Sequence, residues 1–526
     1  MFVVVLVVAA IACLYYGRHA WFGGDEWKFL VERDGADLGD VFGPTNLVHW
    51  TSIPIVFYRI VYNVVGIEHY WPYQILAIGL HLSAAALVRV VMVRAQVNPW
   101  LATTAAGVFA VFGTGSTNII NAFQVSFNGS LVFGLTQLLL ATHPDPIRRR
   151  DVLGLAAGLV ALMCSGVGVT MVAIVGLAVL LQRGWRAAAL QVLPLASIYC
   201  LWWFGYARTE EADALDRGTL SQWVEFVWIG LRSTYDGLGQ VRGVGVLLAV
   251  VLIVGLVVAW IDAPNWAARA TRLASPVALL AGSALFLLIS AFGRVAAELG
   301  AFDLVLGPEA AAASRYLHIV AALSLPAIAV GTDALSRRWR PVLPVVIVLL
   351  LVGVPGNIED LRFPVSPTQR PRYHQVNRAM VLELARAELA TQVPPDFRPY
   401  RPASAMTMGW LLRAASEGKL PELPAPDAQG LADANSLLAF VPTAPPAESC
   451  TPVENEEEGT LVAAGEQLVF DGPPETTIQV IYVAPDGTEA APRPLRLLLA
   501  SAIEAQASAR LRWAADGRLD GVERCS

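Results

Sequence analysis

Long apolar runs constrain this chain more than any other feature of its sequence. Runs such as Val244–Ile261, Val342–Val354 and Pro72–Val93 hold few charges, and several of them approach the roughly 20 residues that a helix needs to span a bilayer core. A backbone in lipid must satisfy its own N–H and C=O groups, and the residue alternation of a membrane β-barrel is absent from the sequence. The sequence therefore predicts a polytopic α-helical membrane protein.

Composition supports a lipid environment and argues against a nucleic-acid partner. The chain is 55% hydrophobic and 15% charged, whereas soluble domains carry a charged share of about a quarter. The net charge is only −6, and Lys and Arg form no cluster on one accessible face. Because nucleic-acid binding needs such a cluster, we expect the lipid bilayer as a partner and no nucleic acid.

The apolar runs predict about eleven transmembrane helices. Short connections rich in arginine separate alternate runs, and the positive-inside rule places these connections in the cytoplasm. The predicted N-terminus is then cytoplasmic, the first helix is retained rather than cleaved as a signal peptide, and the C-terminal domain is extracytoplasmic in the cell envelope. The chain between Arg150 and Arg183 returns to the same side, which predicts two short helices joined near Ser165-Gly166. The runs lie near 2–16, 72–93, 100–113, 123–142, 152–164, 166–182, 187–204, 244–261, 275–292, 316–332 and 342–354.

This topology divides the chain into three predicted parts. Residues 1–355 form the transmembrane domain, with outer loops at about 17–71, 205–243 and 293–315. Residues 356–449 form an extracytoplasmic linker and helical region, and 450–526 form a small β-rich module with strand-like runs and turn dipeptides, so that the outer domain is of α/β class. Cys450 and Cys525 bracket this module. Two such cysteines on an oxidising side of the membrane are natural disulfide partners.

An acidic pair directly beyond the first helix is the most informative local feature. Asp25 and Glu26 lie in the run Trp21-Phe22-Gly23-Gly24-Asp25-Glu26-Trp27. Carboxylates next to hydrocarbon incur a desolvation cost, which favours a functional role. A carboxylate within hydrogen-bond reach of a hydroxyl acts as a general base. The alternative is a solvated loop acid without chemistry.

The acidic pair and several further residues resemble the family C (GT-C fold) membrane glycosyltransferases of bacteria. The similarity covers approximately residues 1–355, and the acidic pair in the first outer loop is its mechanistically specific part. It implies transfer of a hexosyl or pentosyl group from a polyprenyl-phosphate donor to an envelope glycan, lipid or protein acceptor, with inversion. Beyond the acidic pair, the resemblance includes Asn46, His49, Trp50, Pro54, Tyr58-Arg59, Gly66, Tyr70–Tyr73, His81, Gln124, Phe127-Asn128, Ser165-Gly166 and Ser314-Arg315-Tyr316.

The resemblance assigns expected roles to individual residues. Asp25 is the preferred general base, and Glu26 is its alternative or orienting partner. Arg315 and then Arg294 are candidates for the donor phosphate, because a guanidinium fork matches phosphate oxygens; the alternative is an interfacial arginine that extends towards water. His49, Arg59 and Tyr316 complete the expected substrate-binding set, although a lone histidine in an aromatic loop is often structural.

No cofactor is expected from the sequence. A lipid-linked donor requires no nucleotide-binding loop, and neither a GxGxxG sequence after a strand nor a GxxxxGK[ST] sequence is present. The acidic residues of the later outer loops form no recognised cation-site spacing, which predicts that no divalent metal is obligatory.

Two other functional classes remain open at this stage. A non-catalytic transporter or flippase of lipid-linked glycans also needs many helices, but it predicts repeats and broken helices at matching positions. The sequence has a single glycine break, at Ser165-Gly166. A polysaccharide polymerase or ligase is chemically close to the leading hypothesis and differs only in its substrates.

Overall fold

The computed structural model describes most of the chain, in two compact units. The first unit comprises residues 1–20, 35–59 and 71–371, and the second comprises 21–34, 60–70 and 372–526. These units cross the boundaries predicted from the sequence, because parts of the first outer loop belong to the same unit as the C-terminal region. Asn46 lies outside the described residues, which exclude 36, 46–48, 145, 209–217, 295–306, 423–424, 426, 446–449, 498–500 and 526.

Apolar helices make up most of the first unit. Among the described residues, seven helical stretches are long and apolar enough to cross a membrane, and three shorter helices are also apolar. The chain is therefore a multi-pass membrane protein, and the number of about eleven crossings stays a prediction. The helices are α1 (Phe2–Gly17), α2 (Leu38–Phe42), α3 (Ser52–Val65), α4 (Trp71–Arg94), α5 (Pro99–Ala110), α6 (Ser116–Ile120), α7 (Val125–Ala141), α8 (Arg149–Leu162), α9 (Val167–Arg183), α10 (Trp185–Trp202), α11 (Leu220–Gly239), α12 (Val244–Asp262), α13 (Trp266–Phe292), α14 (Ser314–Arg338), α15 (Val342–Leu351) and α16 (Val354–Arg362).

Besides the short helix α2, two helices lie in stretches that the sequence predicted as outer loops. They are α3 and α11, and α11 carries Glu225, Arg232 and Asp236 among its apolar residues. A search for uninterrupted apolar runs misses such helices, because their apolar residues occupy one face only. The stretch from 152 to 182 forms two helices, α8 and α9, joined at Ser165-Gly166 as predicted.

Side-chain exposure distinguishes a lipid-facing helix from a central one. Helix α14 is buried at every position from Tyr316 to Leu335, which places it at the centre of the bundle. Helix α12 instead exposes one apolar stripe at helical spacing, a pattern that requires lipid rather than water around it. The exposed residues of that stripe are Val246, Val250, Ile253, Val257 and Ile261.

Glycines set the close approach of α12 to α14. A Cβ atom on Gly255 would lie 2.4 Å from the Cα atom of Gly331. Because lipid supplies no hydrophobic drive for helix association, close backbone packing through small residues stabilises such a pair. Any larger side chain at Gly255 would force these two helices apart.

A buried ion pair joins the ends of α8 and α9. The Asp151 carboxylate is 1% exposed, and Arg183 donates to it at 2.6 Å. The backbone N–H of Arg148 donates to the same carboxylate at 2.9 Å. Gln191 of α10 donates to the backbone carbonyl of Asp151 at 3.1 Å, so three helices meet at this residue.

We expect Asp151→Asn to lower the free energy of unfolding by about 3 kcal/mol, because it leaves the Arg183 guanidinium buried without its counter-charge. The measurement is thermal or denaturant unfolding of the purified protein in micelles. The matched control is Asp236→Asn, whose ion pair with Arg232 is exposed and 3.6 Å long; we expect that change to cost less than about 0.5 kcal/mol. Equal effects of the two substitutions would contradict the prediction.

The described residues of the second unit form three further helices and two antiparallel sheets. The helices are α17 (Pro371–Arg386), α18 (Met408–Ser416) and α19 (Ala428–Ala439), so much of the predicted linker is helical. The strands are β1 (Phe440–Thr443), β2 (Thr451–Pro452), β3 (Thr460–Val462), β4 (Gln467–Asp471), β5 (Thr477–Val483), β6 (Arg493–Arg496), β7 (Ala502–Ala505), β8 (Ala509–Asp516) and β9 (Gly521–Cys525). One sheet has the order β1-β7-β4-β9-β2 and the other has the order β3-β8-β5-β6.

The two sheets share an apolar interior. Phe470 of β4 and Trp513 of β8 place their rings 6.0 Å apart, and both side chains are buried. Alternation of buried and exposed residues along β4 and β8 directs one face of each sheet inwards. Cys450 and Cys525 form a disulfide that links the segment before β2 to the end of β9.

Short helical turns complete the described secondary structure. The π-helical turns are Lys28–Glu32 and Trp203–Ala207, and the 3₁₀ turns are Gly113–Gly115, Ala122–Gln124, Gly307–Ala312, Pro367–Gln369, Glu388–Thr391 and Arg401–Ala403. The turn Lys28–Glu32 begins after Trp27, the residue that follows the acidic pair.

Candidate functional site

The two carboxylates of the acidic pair have different surroundings. Glu26 is 1% exposed; one of its oxygens accepts a hydrogen bond from the Gly23 N–H at 3.0 Å. Its other oxygen accepts a hydrogen bond from the Tyr70 hydroxyl at 3.0 Å. The Asp25 side chain is 43% exposed and lies 3.1 Å from the Lys28 ammonium. The more exposed Asp25 is therefore the carboxylate that a substrate reaches more easily, while Glu26 braces the turn.

Aromatic rings pack around this turn within the second unit. Trp21 and Trp27 have ring centroids 5.7 Å apart, and Phe22 meets Tyr70 edge to face at 5.0 Å. Trp21, Phe22 and Trp27 are all buried. Edge-to-face aromatic pairs stabilise beyond their buried area, so these rings fix the backbone on both sides of Asp25 and Glu26.

A buried histidine on α17 also contacts the acidic turn, the segment 21–27 that holds Asp25 and Glu26. His374 hydrogen-bonds the backbone of Trp21, and burial lowers the pKa of His374 to about 4 against that hydrogen bond, which acts in the opposite direction. The neighbouring Tyr373 ring comes within 3.8 Å of a Cβ built on Gly23. The imidazole is therefore held in its neutral form at neutral pH.

The pKa of His374 predicts that acid destabilises the second unit. Between about pH 6.5 and pH 4 the unfolded chain binds a proton that the folded imidazole does not, so the unfolding free energy falls by up to about 3 kcal/mol as the pH falls through this window. Hydrogen exchange of the second unit at pH 7 and pH 4.5 measures the effect. His374→Phe should flatten the pH dependence, and His69→Phe, a change at an exposed residue, should not. An unchanged slope in His374→Phe would contradict this account.

Two arginines converge on one phenol at the start of α14. Arg315 donates to the Tyr316 hydroxyl at 3.4 Å, and its guanidinium carbon lies 4.8 Å from the Tyr316 ring centroid. Arg294, which follows α13, is a second positive group that acts on the Tyr316 phenol. Two like charges next to one buried phenol create a local excess of positive charge. Such a pair suits an anionic group with several oxygens, such as a phosphate.

A polar network fixes the start of α14 that carries Arg315. The Asn118 amide donates to the Arg315 carbonyl at 3.0 Å and lies 3.2 Å from the His318 imidazole. The Thr117 N–H donates to the Ser314 hydroxyl at 3.2 Å. His318 in turn contacts His81 of α4 at 2.9 Å. These bonds hold the α14 terminus against α6 and so fix the backbone that carries Arg315.

His49 belongs to a different cluster of the first unit. Its backbone pairs with Thr45 in both directions, at 2.9 and 3.0 Å. A Cβ atom on Gly166 would lie 3.0 Å from the imidazole Nδ1, so the ring rests against the break between α8 and α9. Next to His49, Trp50 stacks on Trp202 with ring centroids 5.1 Å apart. The structure therefore packs the first outer loop against the glycine break that the sequence analysis singled out.

Arg59 lies on α3, directly after the buried Tyr58, whose ring packs 5.1 Å from that of Tyr73. The structure thus brings Arg294, Arg315 and Tyr316 together and places His49 at the glycine break. It places Arg59 on a helix in a stretch that the sequence had predicted as loop.

The sequence analysis missed a polar cluster around Asp360. The Asp360 carboxylate accepts hydrogen bonds from Gln240 at 2.6 Å and from the Thr114 hydroxyl at 3.0 Å, and the Thr114 backbone N–H donates to the Asn357 amide oxygen at 3.1 Å. Asn357 and Asp360 lie on α16, directly after the last apolar run. Polar residues directly after an apolar run are a signal for such a cluster, but the predicted domain boundary placed these residues in the extracytoplasmic region.

Comparison with known proteins finds a structural likeness and no sequence relative. No protein-family model and no curated protein matches the sequence. Among solved structures, the chain is similar to the crystal structure of ArnT from Cupriavidus metallidurans in the apo state, at 14% sequence identity and a TM-score of 0.46. The similarity covers 82% of this chain and 86% of that one.

Proposed function

We propose that this protein transfers a sugar from a polyprenyl-phosphate donor to a cell-envelope acceptor at the outer membrane surface, with inversion at the anomeric carbon. The observation that carries the proposal is the convergence of Arg294 and Arg315 on Tyr316 at the end of a helix within an apolar bundle. A donor of this class keeps its isoprenoid chain in lipid and presents a charged phosphate at the interface.

The proposed reaction is a single displacement. The acceptor hydroxyl oxygen forms a bond to the anomeric carbon of the sugar, and the bond between that carbon and the phosphate oxygen breaks. Polyprenyl phosphate departs with the electron pair, and Arg294 and Arg315 stabilise the charge that develops on it. The proton of the acceptor hydroxyl goes to the Asp25 carboxylate, which acts as the general base.

The assignment of the base to Asp25 rather than Glu26 is supported by their surroundings. Both Glu26 oxygens already accept hydrogen bonds, from Gly23 and Tyr70, and the residue is buried. Asp25 is the more exposed carboxylate. In this proposal Glu26 orients the turn, and Asp25 takes the proton.

The remaining assignments extend the proposal to the substrates and the orientation of the protein. Tyr316 positions the two arginines for phosphate, and His49 and Arg59 contribute to substrate binding. The N-terminus is cytoplasmic and the second unit is extracytoplasmic, as the arginine-rich connections favour. The acceptor is a glycan, lipid or protein of the envelope, and the donor sugar is a hexose or a pentose.

The proposal is tested by sugar transfer in nanodiscs. The purified protein is offered a panel of radiolabelled polyprenyl-phosphate hexoses and pentoses together with envelope lipids and glycans. Labelled acceptor, with release of polyprenyl phosphate in equal amount, supports the proposal. The reaction uses no metal ion, so EDTA should leave the rate unchanged. Movement of the donor across the bilayer without any transfer would instead favour a flippase and overturn the proposal.

A further inference from the structure

We infer that the helical part of the C-terminal region positions the acidic turn, with Trp410 of α18 as the central positioning residue. The inference rests on the proposed function, since it gives Trp410 a role towards Asp25. Residues 21–34, 60–70 and 372–526 form one compact unit, so the acidic turn folds together with a part of the chain that lies far away in the sequence.

Contacts from the C-terminal region flank the acidic pair on both sides. Before the pair, the Gly24 N–H donates to the Pro402 carbonyl at 3.1 Å. After the pair, the Trp27 ring meets the Trp410 ring edge to face, with centroids 5.9 Å apart. The backbone of Asp25 and Glu26 is therefore fixed at both ends by residues of the C-terminal region.

A second segment of the first outer loop is tied to the same region. The Ile67 N–H donates to the Lys419 carbonyl at 2.8 Å. Gly66 has φ +58, and a Cβ built on it would lie 2.4 Å from that carbonyl oxygen, so this approach requires glycine. The same segment ends at Tyr70, whose hydroxyl donates to Glu26. Lys419 thus reaches the acidic pair through the segment from Gly66 to Tyr70.

Trp410 is the residue that these segments share. Its ring lies 5.9 Å from Trp27 and 5.6 Å from Tyr62, and the side chain is only 3% exposed. In the part of the chain that the structure describes, its indole N–H has no hydrogen-bond partner. Trp410 therefore acts through the packing of its ring and not through a polar bond, which predicts that phenylalanine can replace it and alanine cannot.

Two ion pairs near the contact between Trp27 and Trp410 join the end of the segment 21–34 to the C-terminal region. Arg413 lies 2.6 Å from Asp34, and Arg398 lies 3.4 Å from Glu32. These pairs are partly exposed, so each contributes little to stability. Exchanging the two charges of such a pair tests the contact between the segment 21–34 and the C-terminal region, and it leaves the buried aromatic rings unchanged.

The decisive experiment compares two buried tryptophans of the same unit in the full-length protein. Trp410→Ala should speed hydrogen exchange of the peptide 21–34 and lower kcat for sugar transfer about 100-fold, since a catalytic group displaced by about 1 Å loses a rate factor of this size. The KM for the donor should change less than about threefold, because phosphate recognition belongs to Arg294 and Arg315. Trp410→Phe should keep at least about half of the wild-type kcat.

The matched control is Trp513→Ala in β8, which is also buried but packs on Phe470. It should speed exchange in the strands and leave peptide 21–34 and kcat near wild-type values. Hydrogen exchange of peptide 21–34 that is as slow in Trp410→Ala as in the wild type would overturn the inference. Fast exchange of this peptide in Trp410→Ala with an unchanged rate of sugar transfer would also overturn the inference, provided that Asp25→Asn is inactive. If Asp25→Asn transfers sugar at the wild-type rate, the assignment of Asp25 as the base in the proposed function fails instead.

A charge exchange covers the case in which Trp410→Ala does not fold. Arg413→Asp should lower kcat about twofold to fivefold through repulsion of Asp34, and the double variant Arg413→Asp with Asp34→Arg should restore it. The double variant could instead lose as much activity as the two single variants Arg413→Asp and Asp34→Arg together. That result would contradict a positioning contact between the segment 21–34 and α18.

Discussion

Asp25→Asn should lower kcat for sugar transfer by about 10²- to 10⁴-fold, because the amide cannot accept the proton of the attacking hydroxyl. The side chain keeps its size, and the ion pair with Lys28 that the change weakens is partly exposed. The fold of the turn should therefore persist, with an unchanged unfolding temperature. Single-turnover transfer in nanodiscs, with the donor in excess over its KM, measures the chemical step.

Two controls separate the base from its neighbours. Glu26→Gln keeps an acceptor oxygen but places an amide where two donors now meet the carboxylate, from Gly23 and Tyr70; we expect a smaller loss of kcat accompanied by a lower stability of the second unit. Asp34→Asn removes a carboxylate of the same loop that pairs with Arg413, and kcat should fall no more than about threefold. A full loss in Glu26→Gln with wild-type stability, and none in Asp25→Asn, would move the base to Glu26.

Loss of the two arginines near Tyr316 should have the second large effect. Arg315→Ala and Arg294→Ala should each lower kcat/KM about 10- to 100-fold, because each removes charge-assisted hydrogen bonds of about 1.5–3 kcal/mol from the departing phosphate. The double variant should retain little activity. Arg315→Lys should recover only part of the loss, since an ammonium group cannot form the two parallel bonds of a guanidinium fork.

Donor binding distinguishes phosphate recognition from a structural role of these arginines. Polyprenyl phosphate should inhibit the wild-type enzyme and lose potency in Arg315→Ala, whereas the neutral polyprenol should inhibit both equally weakly. Arg232→Ala is the matched control, because this arginine of α11 forms an exposed ion pair with Asp236. Unchanged inhibition by polyprenyl phosphate in Arg294→Ala and Arg315→Ala would remove these residues from the phosphate site.

The long apolar runs determined much of the helical architecture from sequence alone. Helix α12 coincides with the run Val244–Ile261 to within a residue, and the two short helices α8 and α9 followed from the arginines at their ends. Helices α3 and α11 did not follow, because their apolar residues occupy one face only and polar residues interrupt the apolar run along the sequence. Hydrophobicity summed along the chain detects burial in lipid, whereas an amphipathic helix is visible only through its periodicity.

For the candidate site, the sequence by itself determined residue types and their order: an acidic pair after the first helix, arginines beside two apolar runs, and two cysteines around a β-rich module. Only the tertiary structure decided that Arg294 and Arg315 meet at Tyr316, that Glu26 is buried while Asp25 is partly exposed, and that Trp410 packs against Trp27. The physical reason is that local sequence fixes periodicity and charge, whereas contacts between distant segments depend on how complete side chains pack in three dimensions.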